Sequence, residues 1–156
     1  MNQETTDKDW APRVRVLDHT EIALLSKNAL ELRELMSSYS VDKPRYQVTA
    51  ENLDIVFANW LGDSHRKMAE SNLIAVLGIT FGNCLCDRLS MQWVEVTDRA
   101  GTTYAVRHET AEAYCFPLEA VKKRLLSGDV GFFAGIERAV REDISKPSTK
   151  QRSPLR

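Results

Sequence analysis

Residues 71–89 constrain the fold of this chain more than any other part of its sequence. Apolar side chains recur there at helical spacing and cover most of the circumference of the helix that they predict. They are Leu73, Ile74, Val76, Leu77, Ile79, Phe81 and Leu85. A helix that is apolar on nearly all sides is normally buried. We therefore expect this segment to form the central helix of a globular domain.

The same segment carries a second stripe, made of small residues. The stripe consists of Ala75, Gly78, Gly82 and Cys86, at spacings of 3, 4 and 4. These spacings place the four residues on one face of the helix. A glycine inside a helix costs about 1 kcal/mol relative to alanine. We expect a neighbouring helix to cross at this stripe and to offset that cost by close packing.

Two further helices are predicted before the central segment. The first begins at the capping-box pair Asp18 and Glu21 and continues to about Tyr39. The second begins at the N-cap Thr49 and ends at Gly62. Two more helices follow residue 116, one closing at Gly128 and the last capped by Asp129, with Phe132, Phe133, Ile136 and Val140 on one face.

After residue 89 the hydrophobic period changes to two, which predicts strands. Residues 92–97 and 102–107 are expected to form a hairpin, and residues 113–116 a third strand. A four-residue turn pairs Thr97 with Thr102, Val94 with Ala105 and Trp93 with Val106. The predicted fold is therefore α+β. Helices pack on a small three-stranded antiparallel meander, in the order α-α-α-β-β-β-α-α.

Periodicity and charge together divide the 156 residues into three parts. Residues 1–17 show no periodicity and are expected to form a flexible arm, and residues 18–144 a single globular domain. Residues 145–156 carry four basic side chains and no acidic one, which predicts a disordered basic tail. The other residues carry 17 basic and 22 acidic side chains. Because an acidic surface repels phosphate backbones, we expect no nucleic acid to bind through the body of the protein.

Cysteine usage and hydropathy predict a cytoplasmic location. The N-terminus lacks the basic start and apolar stretch of a secretory signal. The most apolar run covers residues 73–81, well short of the roughly 20 residues that cross a bilayer, so no membrane association is expected. The three cysteines, an odd number, are predicted to be reduced thiols.

The candidate catalytic patterns favour a domain without catalytic residues over an enzyme. Cys84 and Cys86 are two apart on a helix and point in nearly opposite directions, so they are not expected to share a metal ion. The run of residues 63–65 contains an acid, a serine and a histidine, but it lies at a helix end and adjacent residues do not form a triad. No phosphate-binding or hydrolase motif occurs. We expect no cofactor and no metal.

Three groups of residues are candidates for binding a partner or a ligand. Trp93 and Tyr104 would anchor a partner if their face of the sheet is open, and would be core residues if it is covered. Arg107 and His108 begin a loop over residues 107–112 in which the arginine can hold an anionic group bidentately. Lys123 and Arg124 form a basic run on a helix face, which fits either a solvated surface or an acidic partner.

Part of the chain resembles a known family. The matching positions are Leu77, Gly78, Phe81, Gly82, Leu89, Trp93, Val94, Asp98, Gly101, Arg107, Phe116, Pro117, Lys123, Arg124 and Gly128. In this order and spacing they resemble a family of bacterial domains known as domain of unknown function 3806, over about residues 73–133. The resemblance implies a small cytoplasmic α+β domain and supplies no activity, substrate or catalytic residue.

These observations lead to two functional hypotheses. The first is a non-catalytic, cytoplasmic protein-interaction domain, for instance an immunity-type protein that blocks a toxin. The alternative is a small anionic-ligand binder or an enzyme that uses the loop of residues 107–112. The expected partner is another protein, and association with further copies of the same chain is left open.

Overall fold

The computed structural model describes residues 11–40 and 48–147, which form a mixed helical and β-sheet fold. The strands are β1 (Arg13–Val16), β2 (Met91–Asp98), β3 (Gly101–His108) and β4 (Tyr114–Cys115). The helices are α1 (His19–Leu25), α2 (Ala29–Tyr39), α3 (Ala50–Gly62), α4 (Glu70–Leu89), α5 (Pro117–Ser127) and α6 (Phe132–Ser145). Within this part of the chain, none of the helices has the length and apolar character to cross a bilayer.

The sheet is antiparallel, with the strand order β1-β2-β3-β4. The predicted hairpin register is confirmed, because Thr97 pairs with Thr102, Val94 with Ala105 and Trp93 with Val106. The predicted three-stranded meander is wrong in one respect, since β1 adds a fourth strand at the edge beside β2.

Strand β1 also corrects the prediction that residues 1–17 are a flexible arm. Val14 pairs with Val96, and the Leu17 amide donates a hydrogen bond to the carbonyl of Trp93 at 3.0 Å. The pairing partner, β2, lies about eighty residues further along the chain. A local sequence pattern therefore does not predict that residues 13–16 form a strand. Residues 1–10 of the predicted arm, and residues 148–156 of the predicted tail, lie outside the described part of the chain.

Helix α4 is the central element, as its composition predicts. Leu77, Phe81 and Leu85 are fully buried in the main hydrophobic core. A Cβ atom on Gly78 would lie 2.9 Å from the Cα atom of Leu118, which shows that α5 crosses α4 at the small-residue stripe. At Gly82 the close neighbour is instead the indole ring of Trp93 from β2. The stripe therefore receives a helix at one glycine and a tryptophan at the other.

The first predicted helix is two helices. The Asp18–Glu21 capping box is present and starts α1, but that helix ends at Leu25 and α2 begins only at Ala29. Ser26 and Asn28 occupy the turn between them. Serine and asparagine bond readily to nearby backbone groups in non-helical conformations, which favours such a break. The break turns Ser26 toward α4, where its hydroxyl oxygen accepts a hydrogen bond from Asn83.

Helix α6 begins differently from the prediction. Its N-cap is Gly131 in the left-handed region (φ 77°), and Asp129 accepts a hydrogen bond from the Ser127 hydroxyl instead. The capping carboxylate comes from Asp54 of α3, which accepts from the amides of Phe133 at 2.8 Å and Ala134 at 3.0 Å. Because the capping carboxylate belongs to another helix, the residues around 131 contain no capping motif. The sequence analysis therefore did not predict that Asp54 caps α6.

Candidate functional site

Trp93 is a core residue and not an exposed anchor. Its side chain is 2% exposed and its ring lies against Gly82. The indole N–H donates a hydrogen bond to Oδ1 of Asn83 at 2.9 Å. Of the two roles that the sequence left open for Trp93, the core role therefore applies, because α4 covers this face of the sheet.

Tyr104 is partly buried on the same face, where it lies opposite Glu95 and packs against the main core. The other face of the sheet carries a second, smaller cluster, in which Val94 and Ala105 are fully buried. The two aromatic residues therefore do not form an open binding surface.

Arg107 and His108 do not converge on one ligand. As neighbours on a strand, they point to opposite faces of the sheet. His108 Nδ1 accepts the amide of Ala111 at 3.0 Å, so the imidazole closes its own loop. The Nε of Arg107 is buried and, within the described part of the chain, has no hydrogen-bond partner. Arg107 pairs in the ladder with Tyr114 of β4.

The two basic residues of the run on α5 have different surroundings. Lys123 is exposed to solvent. Arg124 is half-buried and its guanidinium lies over the ring of Phe132, 5.6 Å from the centroid, which is within range for a cation–π interaction. Arg124 therefore helps to join α5 to α6, and only Lys123 of this pair projects freely.

The thiols of Cys84 and Cys115 are buried, that of Cys86 is partly buried, and all three hold their protons at neutral pH. Burial raises the pKa of Cys84 to about 11, and that of Cys86 and Cys115 to about 12. Cys84 donates its S–H to the carbonyl of Val48 at 3.4 Å. Helix α4 runs unbroken past both of its cysteines. Within the described ranges, no three His, Cys, Asp or Glu side chains are grouped to hold a metal ion.

A cleft of about 310 Å³ lies between α4 and the turn that joins α1 to α2. Its apolar lining includes Leu25, Leu32, Val76 and Ile79, and its polar lining includes Ser26, Asn28, Thr80, Asn83, Asp87 and Arg88. The break between α1 and α2 creates one wall of the cleft, and α4 forms its floor.

A second hollow, of about 660 Å³, continues the cleft toward β2. Both hollows are lined by Ser26, Asn83 and Asp87. The second one extends past Cys86 to Gln92 at the start of β2. We call the two hollows together the α4 groove.

Asn83 stands at the junction of the two hollows. Its Nδ2 donates to the Ser26 hydroxyl at 3.2 Å, while its Oδ1 accepts the indole N–H of Trp93. An amide group has two N–H donors and two acceptor lone pairs. Among the described residues, Asn83 thus has one donor and one acceptor not used in these two bonds, and the bonds fix the orientation of its amide.

Arg88 and Asp87 give one end of the cleft its charge. Arg88 lies 3.4 Å from Oε1 of Glu137, and the same oxygen accepts from Arg141 at 3.0 Å. The other carboxylate oxygen of Glu137 is buried and has no hydrogen-bond partner among the described residues. The buried carboxylate thereby fixes Arg88 beside the cleft.

The residues of the groove were missed by the sequence analysis. A signal for them was present, since Thr80, Asn83 and Asp87 are polar positions spaced by 3 and 4 in a stretch, residues 73–87, that is otherwise made of apolar and small residues. This spacing puts them on one face. A polar stripe on the most buried helix of a domain indicates either a buried network or a cleft, and here it indicates both.

Comparisons with known proteins give one result. Residues 59–133 match the family described as Domain of unknown function (DUF3806). Neither the curated proteins nor the solved structures contain a significant match to the chain. The matched range contains α4, the hairpin, β4 and α5, and therefore the floor of the groove but not the α1–α2 wall. The family resemblance predicted from the sequence is confirmed over residues 59–133.

Proposed function

We propose that this protein is a non-catalytic binding domain that holds an extended segment of another protein in the α4 groove. The observation that carries the proposal is the cleft between α4 and the α1–α2 turn. It combines aliphatic walls with the amide and hydroxyl groups of Ser26, Thr80 and Asn83. Ligand sites characteristically combine an apolar lining with a few polar groups that fix orientation.

The dimensions of the groove suit a peptide. From Val76 to Asp87 the helix rises roughly 16 Å, at 1.5 Å per residue. An extended chain advances about 3.3 Å per residue, so roughly five residues fit along this length. The second hollow lengthens the groove toward β2.

The chemistry of the lining also favours a peptide. Ser26, Thr80 and Asn83 offer uncharged donors and acceptors, which match the alternating N–H and C=O groups of a peptide backbone. The aliphatic residues between them offer contacts for side chains. A segment of a partner protein satisfies both sets of groups at once.

The thiols support binding over nucleophilic catalysis. Cys84 and Cys86 line the groove, but burial keeps their pKa values at about 11 and 12, so neither supplies the thiolate that would attack a substrate. A domain of this kind acts by occupying its partner, and an immunity-type protein that blocks a toxin is one form of that role. We place it in the cytoplasm, where thiols stay reduced.

A phage-displayed library of random heptapeptides tests the proposal. Peptides selected on the wild-type protein are expected to bind with micromolar affinity, and the variant Ala29→Arg, which places a long side chain at the edge of the cleft, is expected to weaken them at least about tenfold. The matched control is Ala139→Arg, on the exposed surface of α6 away from the groove, which should bind as the wild type does.

Two results would contradict the proposal. One is a selection that yields no peptide binding above background. The other is a set of peptides to which the wild type, Ala29→Arg and Ala139→Arg bind equally. Circular dichroism of both variants establishes that each is folded before its affinity is compared.

A further inference from the structure

The sheet is apolar on both of its faces. Trp93 and Val106 lie on the face that packs against α4, and they belong to the main core. On the opposite face, Val94 and Ala105 are fully buried and Val96 is 8% exposed. We call this second face, with those three residues at its centre, the outer face. An antiparallel sheet with one face in water is ordinarily polar on that face. An apolar outer face therefore indicates that something covers it.

Hydrophobic residues of the described helices do not supply this cover. The outer-face cluster consists of strand residues, and within residues 11–40 and 48–147 the partly buried hydrophobic side chain that packs against it is Val14 of β1. Val14 itself belongs to the sheet, since it pairs with Val96. An apolar layer above the sheet must therefore come from the rest of the chain or from another molecule.

A buried guanidinium nitrogen lies on the same face. Arg107 follows Ala105 by two positions on β3, so its side chain leaves the sheet on the outer face. Its Nε has no hydrogen-bond partner within the described part of the chain. A buried donor costs free energy unless an acceptor meets it. The cover of the outer face is therefore expected to bring an acceptor, and a carboxylate makes the strongest hydrogen bond with a guanidinium.

We propose that residues 4–10 of this chain fold back over the outer face, with the indole of Trp10 on the outer-face cluster. Apart from Met1, Trp10 is the only large apolar side chain among the first ten residues. A carboxylate of the same segment accepts a hydrogen bond from the Nε of Arg107. The segment carries three carboxylates, those of Glu4, Asp7 and Asp9. This contact lies on the other side of the sheet from α4 and does not depend on the proposed peptide binding.

The length of chain before β1 fits this arrangement. Arg13 pairs with Thr97, which places it roughly 11 Å from Val94, at about 3.3 Å per residue and 4.8 Å per strand. Trp10 precedes Arg13 by three residues and reaches about 10 Å as extended chain, before its side chain is counted. The chain turns at Pro12, directly before β1, because a residue without an N–H does not continue the ladder.

The carboxylates can also reach Arg107. Arg107 pairs with Gln92, five residues from Thr97 along β2, and β3 lies two strands from β1. The Cα atoms of Arg107 and Arg13 are therefore roughly 19 Å apart. The six residues from Asp7 to Arg13 extend to about 20 Å. A tethered segment meets the face at a high effective concentration, which favours it over a separate molecule.

Nuclear Overhauser contacts to the valine methyl groups test the proposal in the whole 156-residue chain. Contacts are expected between the indole protons of Trp10 and the methyl groups of Val94 and Val96. The variant Trp10→Ala should shift the resonances of these methyl groups. The control Leu126→Ala removes a more exposed apolar side chain at the end of α5 and should leave them unchanged. Circular dichroism establishes that both variants are folded.

A sample that mixes labelled and unlabelled chains distinguishes the tethered segment from a second copy. The contacts of Trp10 should arise within one chain and be independent of protein concentration. Contacts that arise only between chains would overturn the proposal and identify a second copy as the cover. The absence of any contact from Trp10 to the two valines would overturn it as well.

The exchange of the Arg107 Nε proton with water tests the carboxylate contact separately. Replacing the three carboxylates of residues 4–10 by amides, as Glu4→Gln, Asp7→Asn and Asp9→Asn together, should accelerate this exchange at least about tenfold. The matched control replaces three exposed carboxylates elsewhere by glutamine, at Glu34, Glu51 and Glu119, and should exchange as the wild type does. Equal exchange in the two triple variants would overturn the assignment of the acceptor for Arg107.

Discussion

The indole ring of Trp93 lies directly on Gly82, in the space where a side chain at residue 82 would begin. A Cβ atom added there would overlap the six-membered ring. This contact explains why the central helix has a glycine at this buried position, and it fixes the distance between α4 and the sheet.

Gly82→Ala is expected to lower the free energy of unfolding by about 1–3 kcal/mol, because overpacking outweighs the gain in helix propensity. Gly135→Ala is the matched control, since α6 leaves open space around that residue. It should raise the free energy of unfolding by roughly 0.5–1 kcal/mol. Urea denaturation measures both, and a stabilised Gly82→Ala protein would show that Trp93 is not held as described.

Asn83→Ala leaves the indole N–H of the buried Trp93 without its acceptor. The expected loss is about 1–3 kcal/mol of unfolding free energy, the cost of a buried unsatisfied donor. Trp93→Phe removes the donor while keeping an aromatic ring. A double-mutant cycle of the two substitutions should give a coupling energy of about 0.5–3 kcal/mol, and additive losses would exclude the hydrogen bond as a source of stability.

Asp54→Ala removes the carboxylate that caps α6 from α3. A loss of about 1–2 kcal/mol is expected, as for other N-cap deletions. Because burial raises the pKa of Asp54, an uncharged acceptor should serve nearly as well, so Asp54→Asn should lose less. The exposed Glu51→Ala on the same helix controls for a changed charge. Equal losses for Asp54→Ala and Glu51→Ala would contradict the capping role.

Tyr39→Phe tests a pH-dependent contact between α2 and the end of α3. The Tyr39 hydroxyl donates to Asp63 at 2.7 Å and lowers the pKa of that carboxyl group below its ordinary value of 3.8. A lowered pKa stabilises the fold above pH 3.8, and this contribution is lost as the pH falls through the lowered value. The difference in urea midpoint between wild type and variant should therefore be largest near neutral pH and shrink below pH 3.8. A difference that grows on acidification would contradict the assignment.

Local sequence patterns were sufficient to predict those helices and strands whose own residues determine their structure. The apolar circumference of α4 and the alternation on either side of the 98–101 turn predicted the central helix and the hairpin register, both of which are confirmed. The same patterns failed to predict features that depend on a residue or strand far away in the sequence. Strand β1 depends on β2, and the cap of α6 depends on Asp54.

The groove was missed for a related reason. It exists only because the chain breaks between Leu25 and Ala29 and leaves a gap beside α4. Apolar periodicity continues across that break, so the sequence predicted one unbroken helix. For Trp93 the sequence left both a binding role and a core role open, because its burial depends on contact with Gly82, eleven positions earlier on another element.

The hydrogen bond from Trp93 to Asn83 gives the groove an intrinsic optical probe. The emission of a buried indole depends on the polarity around its N–H, and that group is bonded to a residue that lines both hollows. A guest that reorients the Asn83 amide will therefore shift the fluorescence of Trp93. Occupancy can be followed in the unlabelled protein, with Trp93→Phe as the reference that gives the emission of the two other tryptophans, Trp10 and Trp60.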